Sequence, residues 1–509
     1  MGRSLTNSLN MQYAIEETEN LGSAGIGVLP GSPIWRILEP NTIGTFAASI
    51  SSVARDPISK LRQRQKGTVT DLDSSAEFEA DLTISHILDF SEGFFFSTFT
   101  TVYNEKDPDF TGVTAPSTYT VTNTPVGGVF TRSLIFVRGF TASAVNNGFK
   151  EVASVTATTI VVTATDLVTE TTPTNAELEV AGFRTAAGDL DVDTNGNLTT
   201  TSLDFTTLGL TVGQFIWIGG DASINRFSTV ANLGYARVTA IATNLLTIDK
   251  KQTTFVLEAN AAQEVDIYFG RFLRNVPVDD PIFLERTFQF ELTYAGLSET
   301  IPGNPMHEYS LGNFANQMAI NMPLTDKATI SFAFIGIDTE PPVETANRKT
   351  NAATPIFPTR TSAFNTTSDL ARLRVALVDE TGLTSDFKSL TVTLNNNVSP
   401  EKILGKLGAK FVNAGNFDVN VESQALFTDA RIAAAVRDFT TLTMDFAVVN
   451  DNGGIYYDIP SLTLGGGDRE FPIDESILIN LNGEAFSDPV LNTSISMSLF
   501  PFLPAIASA

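Results

Sequence analysis

The chain has 509 residues, of which 42% are hydrophobic, with 32 basic and 57 acidic side chains, a formal net charge of −25 and no cysteine. That length exceeds what one ordinary core organises and predicts about three domains. The absence of cysteine excludes disulfides, thiolate metal sites and cysteine nucleophiles, and the acidic balance opposes nucleic-acid binding unless the charge is strongly segregated.

The opening, MGRSLTNSLNMQYAIEETEN, has no apolar h-region, so no secretory leader is expected there. Met1-Gly2 with Thr6 fits the myristoylation pattern only formally. No run of about 18 apolar residues occurs, so neither a spanning helix nor a membrane anchor is expected.

Charge is segregated at 55–83. Arg55, Lys60, Arg62, Arg64 and Lys66 come first, and Asp71, Asp73, Glu77, Glu79 and Asp81 follow. Lys60, Arg62, Arg64 and Lys66 are two apart, so an extended backbone turns all four the same way. In AEFEADLTI, Phe78, Ala80, Leu82 and Ile84 alternate with Glu77, Glu79, Asp81 and Thr83, the pattern of a half-buried strand. A short helix is expected near 85–97.

The middle of the chain repeats. IFVRGFTASAVNNGFKEVASV and IWIGGDASINRFSTVANLGYARVTAI align Gly148 with Gly234, Phe149 with Tyr235 and Val152 with Val238. Each copy reads as a small all-β module whose Asn-x-Gly marks a turn. Asp189, Asp191, Asp193 and Asn195 are spaced like calcium ligands, but Thr194 and Thr200 stand where glycine and glutamate belong. A solvated acidic hairpin is expected, and no metal.

Further strands are expected at RTFQFELTY, KSLTVTLNN and NFDVNVE. In these, Phe288, Phe290, Leu292 and Tyr294 oppose Thr287, Gln289, Glu291 and Thr293; Leu390, Val392 and Leu394 oppose Thr391 and Thr393; and Phe417, Val419 and Val421 oppose Asp418, Asn420 and Glu422. Four prolines between 338 and 368 suggest a linker. A second helix is expected at 428–439, with Asp429 in its first turn and Arg437 in its last. The glycine run in SLTLGGGDRE lacks the Lys-Ser/Thr of a phosphate loop and reads as a plain loop. A weaker repeat relates the two ends: an acidic alternating strand precedes a helix in each half, and 309–334 resembles 457–482. This suggests an old duplication, its first copy interrupted by the middle modules.

Catalytic equipment is sparse. His86 and His307 are the only histidines and read as core or cap residues. No nucleophile elbow, phosphate loop or dinucleotide fingerprint occurs in a proper context, so neither an enzyme nor a cofactor is expected.

LPGSPIWRILEPN, followed by ARDPISKLRQRQKGTVTDLDSSAEFEADLT, resembles the tail tube (major tail) proteins of long, non-contractile-tailed bacteriophages. The resemblance covers 22–100 well, 282–342 moderately and 372–504 loosely. It implies a mainly β chain with two β-sandwich or rolled-sheet tube domains, each with a short helix, plus two small inserted β modules. Expected boundaries are 1–125 and 266–340 for the first tube domain, 126–265 for an outward decoration, 341–368 for a linker and 369–509 for the second tube domain.

In such a family, rings stack into a tube. A chain with two tube domains would form a trimeric, pseudo-sixfold ring, with itself, a tape measure protein and other tail proteins as partners. Genomic DNA would pass without specific binding, and the product would be a virion component assembled in the host bacterial cytoplasm. Glu77, Glu79, Asp81, Asp418 and Glu422 are candidates for an acidic lumen, because carboxylates repel phosphate and cations would retain it. Arg55, Lys60, Arg62, Arg64 and Lys66 are candidates for a loop contacting the next ring. Alternatives are another virion ring, such as a tail terminator or baseplate protein, and a carbohydrate- or cell-surface-binding protein in which Trp217 and Tyr235 stack on sugars.

Overall fold

The computed structural model describes residues 6–17, 26–56, 58, 60, 65–106, 108–172, 176–260, 262–298, 301, 303–377, 382–384 and 386–507. The chain is mainly β, with two α-helices among the described residues.

The first unit begins with a long antiparallel hairpin, Pro40–Arg55 against Gln65–Asp81. Strand alternation buries Ala76, Phe78 and Ala80 and turns Glu77, Glu79 and Asp81 to the other face. Thr83 then caps helix α1 (Ile84–Phe95), its hydroxyl accepting from the His86 backbone N–H. The helix ends at Phe96, in the left-handed conformation.

Helix α1 packs by aromatic contact. Phe90 meets Tyr13, Phe78, Phe288, Phe332 and Phe334 at centroid distances of 4.7 to 5.7 Å. Gly93 permits the close approach, because a Cβ there would sit 2.9 Å from the Phe288 ring. The sheet beneath runs from the hairpin to Thr329–Gly336, then Met306–Met322, then Thr287–Tyr294 and finally Leu9–Ile15.

The second unit repeats this pairing strand for strand. Phe387–Asn395 and Asp418–Leu426 form the hairpin. Asp429 caps helix α2 (Ala430–Arg437) by accepting from Arg431 N–H. The sheet continues through Leu478–Ala485, Gly453–Glu470, Thr441–Asn450 and Leu370–Leu377. Even the strand after each unit corresponds: Asp338–Glu344 pairs with the first half of Met306–Met322, and Ser496–Phe500 with the first half of Gly453–Glu470. The similarity of 309–334 to 457–482 falls on these equivalent strands. Gly465, Gly466 and Gly467, expected in a loop, lie within the long strand instead. Positive φ at Gly466 and Gly467 accommodates a bulge before Arg469.

The two units share one sheet. Residues 317–322 pair antiparallel with 390–395, and one hydrophobic core runs beneath both, from Phe78 and Phe90 to Val421 and Leu464.

A separate 14-stranded sheet spans Asn104–Lys106 to Asp266–Tyr268. It begins ahead of the expected boundary at 126, because Phe110–Thr114 and Thr118–Val121 join it through Thr159–Val162. Its two repeats carry the same hydrogen-bond set. Buried Asn146 donates to Glu170 and accepts from Val168 N–H, and buried Asn232 donates to Glu258 and accepts from Val256 N–H.

The proline-rich segment is no simple tether. Pro341 and Pro342 lie in the strand Asp338–Glu344, paired on one side only, where missing donors are tolerated. Ala352, Arg360 and Phe364 beyond it are buried. This segment also covers the polar side of Thr287–Tyr294. Thr287, Gln289 and Glu291 are therefore buried, not solvated, and Glu291 pairs with Arg348 at 2.5 Å while Gln289 accepts from Lys349.

Phe90→Ala is expected to destabilise the chain by about 3–5 kcal/mol, because a fully buried ring between helix and sheet is lost; urea unfolding of the purified variant checks this.

Candidate assembly surfaces

The face of the shared sheet away from the helices is polar. Directly opposed residues on antiparallel strands point to the same side, so rows can be followed across it. One row runs Asp81, Thr329, Asn321, Thr391, Glu422, Asn482. The next runs Glu79, Ser331, Ala319, Thr393, Asn420, Glu484, and a third Glu77, Ala333, Gln317, Asn395, Asp418. Both helices lie on the other side, and these three rows contain no Lys or Arg. All five acidic candidates, Glu77, Glu79, Asp81, Asp418 and Glu422, therefore share one continuous face, joined by Glu484. The face is depressed where Thr42, Gly44, Glu77, Glu79, Gln317 and Ser331 line a shallow hollow. Lys327 meets this face only at its border, 2.6 Å from Asp81; desolvation opposes the charge on that carboxyl, but hydrogen bonds from Asn41 and Lys327 hold it below its usual range.

Of the basic candidates, Arg55, Lys60 and Lys66 are exposed near the tip of the long hairpin. Arg62 and Arg64 lie outside the described residues. The hairpin's distal half is solvated on both sides, and Ile50, Val53, Ile58 and Val69 are exposed with it. At its base, Asp71 and Asp73 hold Lys402 of the second unit, each at 2.6 Å.

Two charge clusters fasten the 14-stranded sheet to the shared sheet. Glu177 and Glu179 of strand Glu177–Arg184 meet Arg360 and Arg271; Arg360 is 2.5 Å from Glu177, and Arg271 is 2.6 Å from Glu179. Burial opposes the charge on Glu177, but Arg360, Lys106 and Arg271 hold its carboxyl far below the usual range. Arg138 beside them is pushed down to about 10 by burial and by Arg360. In the second cluster, Arg237 lies 2.9 Å from Asp458, and Lys250 also contacts Asp458. Asp445 sits nearby between Arg372 and Arg374 at 2.6 and 2.7 Å. Sequence reading missed both clusters. A signal was present in ELEVAGF, where Glu177 and Glu179 share one side of an otherwise apolar strand.

Other candidates are structural. His86 is buried at the α1 cap, with Nδ1 against Thr83 and the Asp81 carbonyl. His307 lies beside Glu291. Trp217 and Tyr235 are buried against Tyr456 and the C-terminal segment, so the sugar-stacking pair of the carbohydrate-binding alternative is not presented to solvent. Asp189 accepts from Thr201, Ser202 and Leu203 backbone N–H groups, and Asp193 from Asn195 and Asn197, so these carboxylates organise turns.

Residues 233–485 match the family model described as phage tail tube protein. The match supports a phage tail tube protein, a structural and non-enzymatic component of the virion tail that assembles with other copies and other tail proteins. None of the curated proteins matches this chain.

Arg360→Ala leaves two buried carboxylates with reduced compensation and is expected to cost about 3–5 kcal/mol; thermal unfolding against the parent chain measures it.

Proposed function

We propose that three chains close a ring, that rings stack head to tail into a hollow tube, and that the acidic helix-free face lines the bore. The internal junction carries this reading. Residues 317–322 pair with 390–395 inside the chain. Their counterparts in the duplicated pattern are 465–470 and 44–49, and among the described residues each of these has a strand partner on one side only. An exposed strand edge is a template for another chain. The 465–470 edge of one subunit would take the 44–49 edge of the next, repeating between subunits the pairing already present within one. Two equivalent units per chain then give six around a trimeric ring, with the three polar rows continuing around the wall.

The bore would carry Glu77, Glu79, Asp81, Asp418 and Glu422. DNA phosphates would be repelled, and no cation in these rows would retain them. A tape measure protein would occupy the same bore before ejection, and assembly would take place in the host bacterial cytoplasm. Arg55, Lys60, Arg62, Arg64 and Lys66 would contact the adjacent ring. The exposed apolar residues of the same hairpin favour that role, since an isolated two-stranded hairpin is marginal in water.

Within the chain Gln317 faces Asn395, and the counterpart pair between subunits is Gly465 and Ser49. A Cβ at Gly465 would come no closer than 3.7 Å to the Asn482 carbonyl oxygen, and the chain has no cysteine of its own. Ser49→Cys combined with Gly465→Cys is therefore expected to give disulfide-linked trimers on non-reducing gels under oxidising conditions, with neither single variant doing so. Assembled tubes that yield only monomer would refute this ring closure. Arg62→Glu with Arg64→Glu is expected to leave a folded chain that forms rings but few tubes under negative-stain microscopy; tubes of normal length would remove the hairpin from ring stacking.

A further inference from the structure

We infer that the receiving surface for the basic end of one ring is a pair of acidic, apolar-tipped turns at the other end of a second copy of the chain. The inference rests on the tube reading above and identifies its stacking partner. Sheet register places the parts. Asp81 pairs with Thr329, so the turn 323–328 lies at the end of Gln65–Asp81 remote from the hairpin tip. Leu426 pairs with Leu478, so the turn 471–477 lies remote from the 396–417 connection of the second unit. The internal junction sets both units the same way up, with Met322 opposite Leu390 and Gln317 opposite Asn395. The hairpin tip and the 402–410 loop therefore share one end, and the two turns share the other.

The two ends are complementary. At the first, Arg55, Lys60, Lys66, Lys406 and Lys410 are exposed together with Ile58, Ile403, Leu404 and Leu407. The 402–410 loop is an ordered projection: Ser399–Glu401 pairs with Phe411–Asn413, Val412 and Ala409 are buried against Phe314 and Ile337, and Lys402 is tied to Asp71 and Asp73. Its Leu404 is fully exposed and contributes nothing to the core of its own chain.

At the other end, Phe471 is 71% and Ile473 is 89% exposed, just ahead of Asp474 and Glu475, and Leu324 is exposed beside Asp326. Of the cations near these turns, Lys327 and Arg431 are already paired with Asp81 and Asp429, and Arg469 lies over the Phe427 ring, 4.7 Å from its centroid. Lys406, Asp474 and Glu475 make no ion pair among the described residues. Joining the ends removes apolar side chains from water and pairs opposite charges. Because the faces are unlike, the contact propagates without closing on itself, which is what a tube requires.

The test uses the purified chain and its variants, read by sedimentation and negative-stain microscopy. Lys406→Glu with Lys410→Glu, and separately Asp474→Lys with Glu475→Lys, are each expected to retain ring-sized particles while lowering the tube fraction about ten-fold. Combining all four substitutions restores tubes. Leu404→Ser and Ile473→Ser, which change no charge, also shorten tubes. Parent-like assembly by either charge-reversed form, or failure of the four-fold variant to recover, overturns the proposed pairing. A parent chain that forms neither rings nor tubes overturns the tube reading itself.

Discussion

The six-residue pairing of 317–322 with 390–395 decides how the rest of the molecule is arranged. A strand edge exposes a row of backbone donors and acceptors, and an antiparallel neighbour satisfies them in only one register once one face is buried. Here Met318 and Ile320 on one strand and Val392 and Leu394 on the other enter the same core. A slip of one residue would turn those apolar side chains to the polar face. The two units are thus locked in orientation by burial as well as by hydrogen bonds. The acidic rows are continuous for the same reason, since each row crosses the junction through directly opposed residues.

The 14-stranded sheet adds a second constraint on the same pair of units. It is fastened at one place through Glu177, Glu179, Arg271 and Arg360, and at another through Arg237, Lys250 and Asp458. Between these, Phe215 stacks on Tyr456 at 3.8 Å, and the Phe215 backbone N–H donates to Ser498. Buried ion pairs contribute little net stability because desolvation offsets their attraction, but removal of one partner is costly. Such pairs penalise misalignment more than they reward contact. These contacts lie on inner strands of the sheet and hold it closely against the shared sheet.

The strands and both helices were legible because their patterns are local. Phe78, Ala80 and Leu82 alternate with acids, and Asp429 and Arg437 mark the two ends of the second helix. The duplication was legible as well, because equivalent strands preserved aromatic, proline and acidic positions. Less legible were features decided by distant chain. The polar side of Thr287–Tyr294 reads as solvated until the segment beyond Asp338–Glu344 is laid over it. The glycines at 465–467 read as a loop because strand propensity counts them as breakers, whereas a bulge with positive φ uses them. Arg360 carries no local signal at all; its burial exists only because Glu177 and Glu179, far away in sequence, need a cation.

Charge segregation in 55–83 follows from the same geometry. The hairpin strand Gln65–Asp81 runs from a tip standing clear of the sheet into its middle. A side chain near the tip meets whatever lies beyond the end of the sheet, whereas one past Ser75 meets whatever lies before its polar face. In the proposed tube these are different partners, an adjacent ring and a passing polyanion, and they call for opposite charge. In that tube the cations of this strand would be confined to the tip, Asp71 and Asp73 are taken up by Lys402, and Glu77, Glu79 and Asp81 would face the bore. At 0.15 M salt the Debye length is about 8 Å, so charges on tip and wall act largely independently. One strand of seventeen residues can therefore serve both surfaces, provided that its charge changes sign where it enters the sheet.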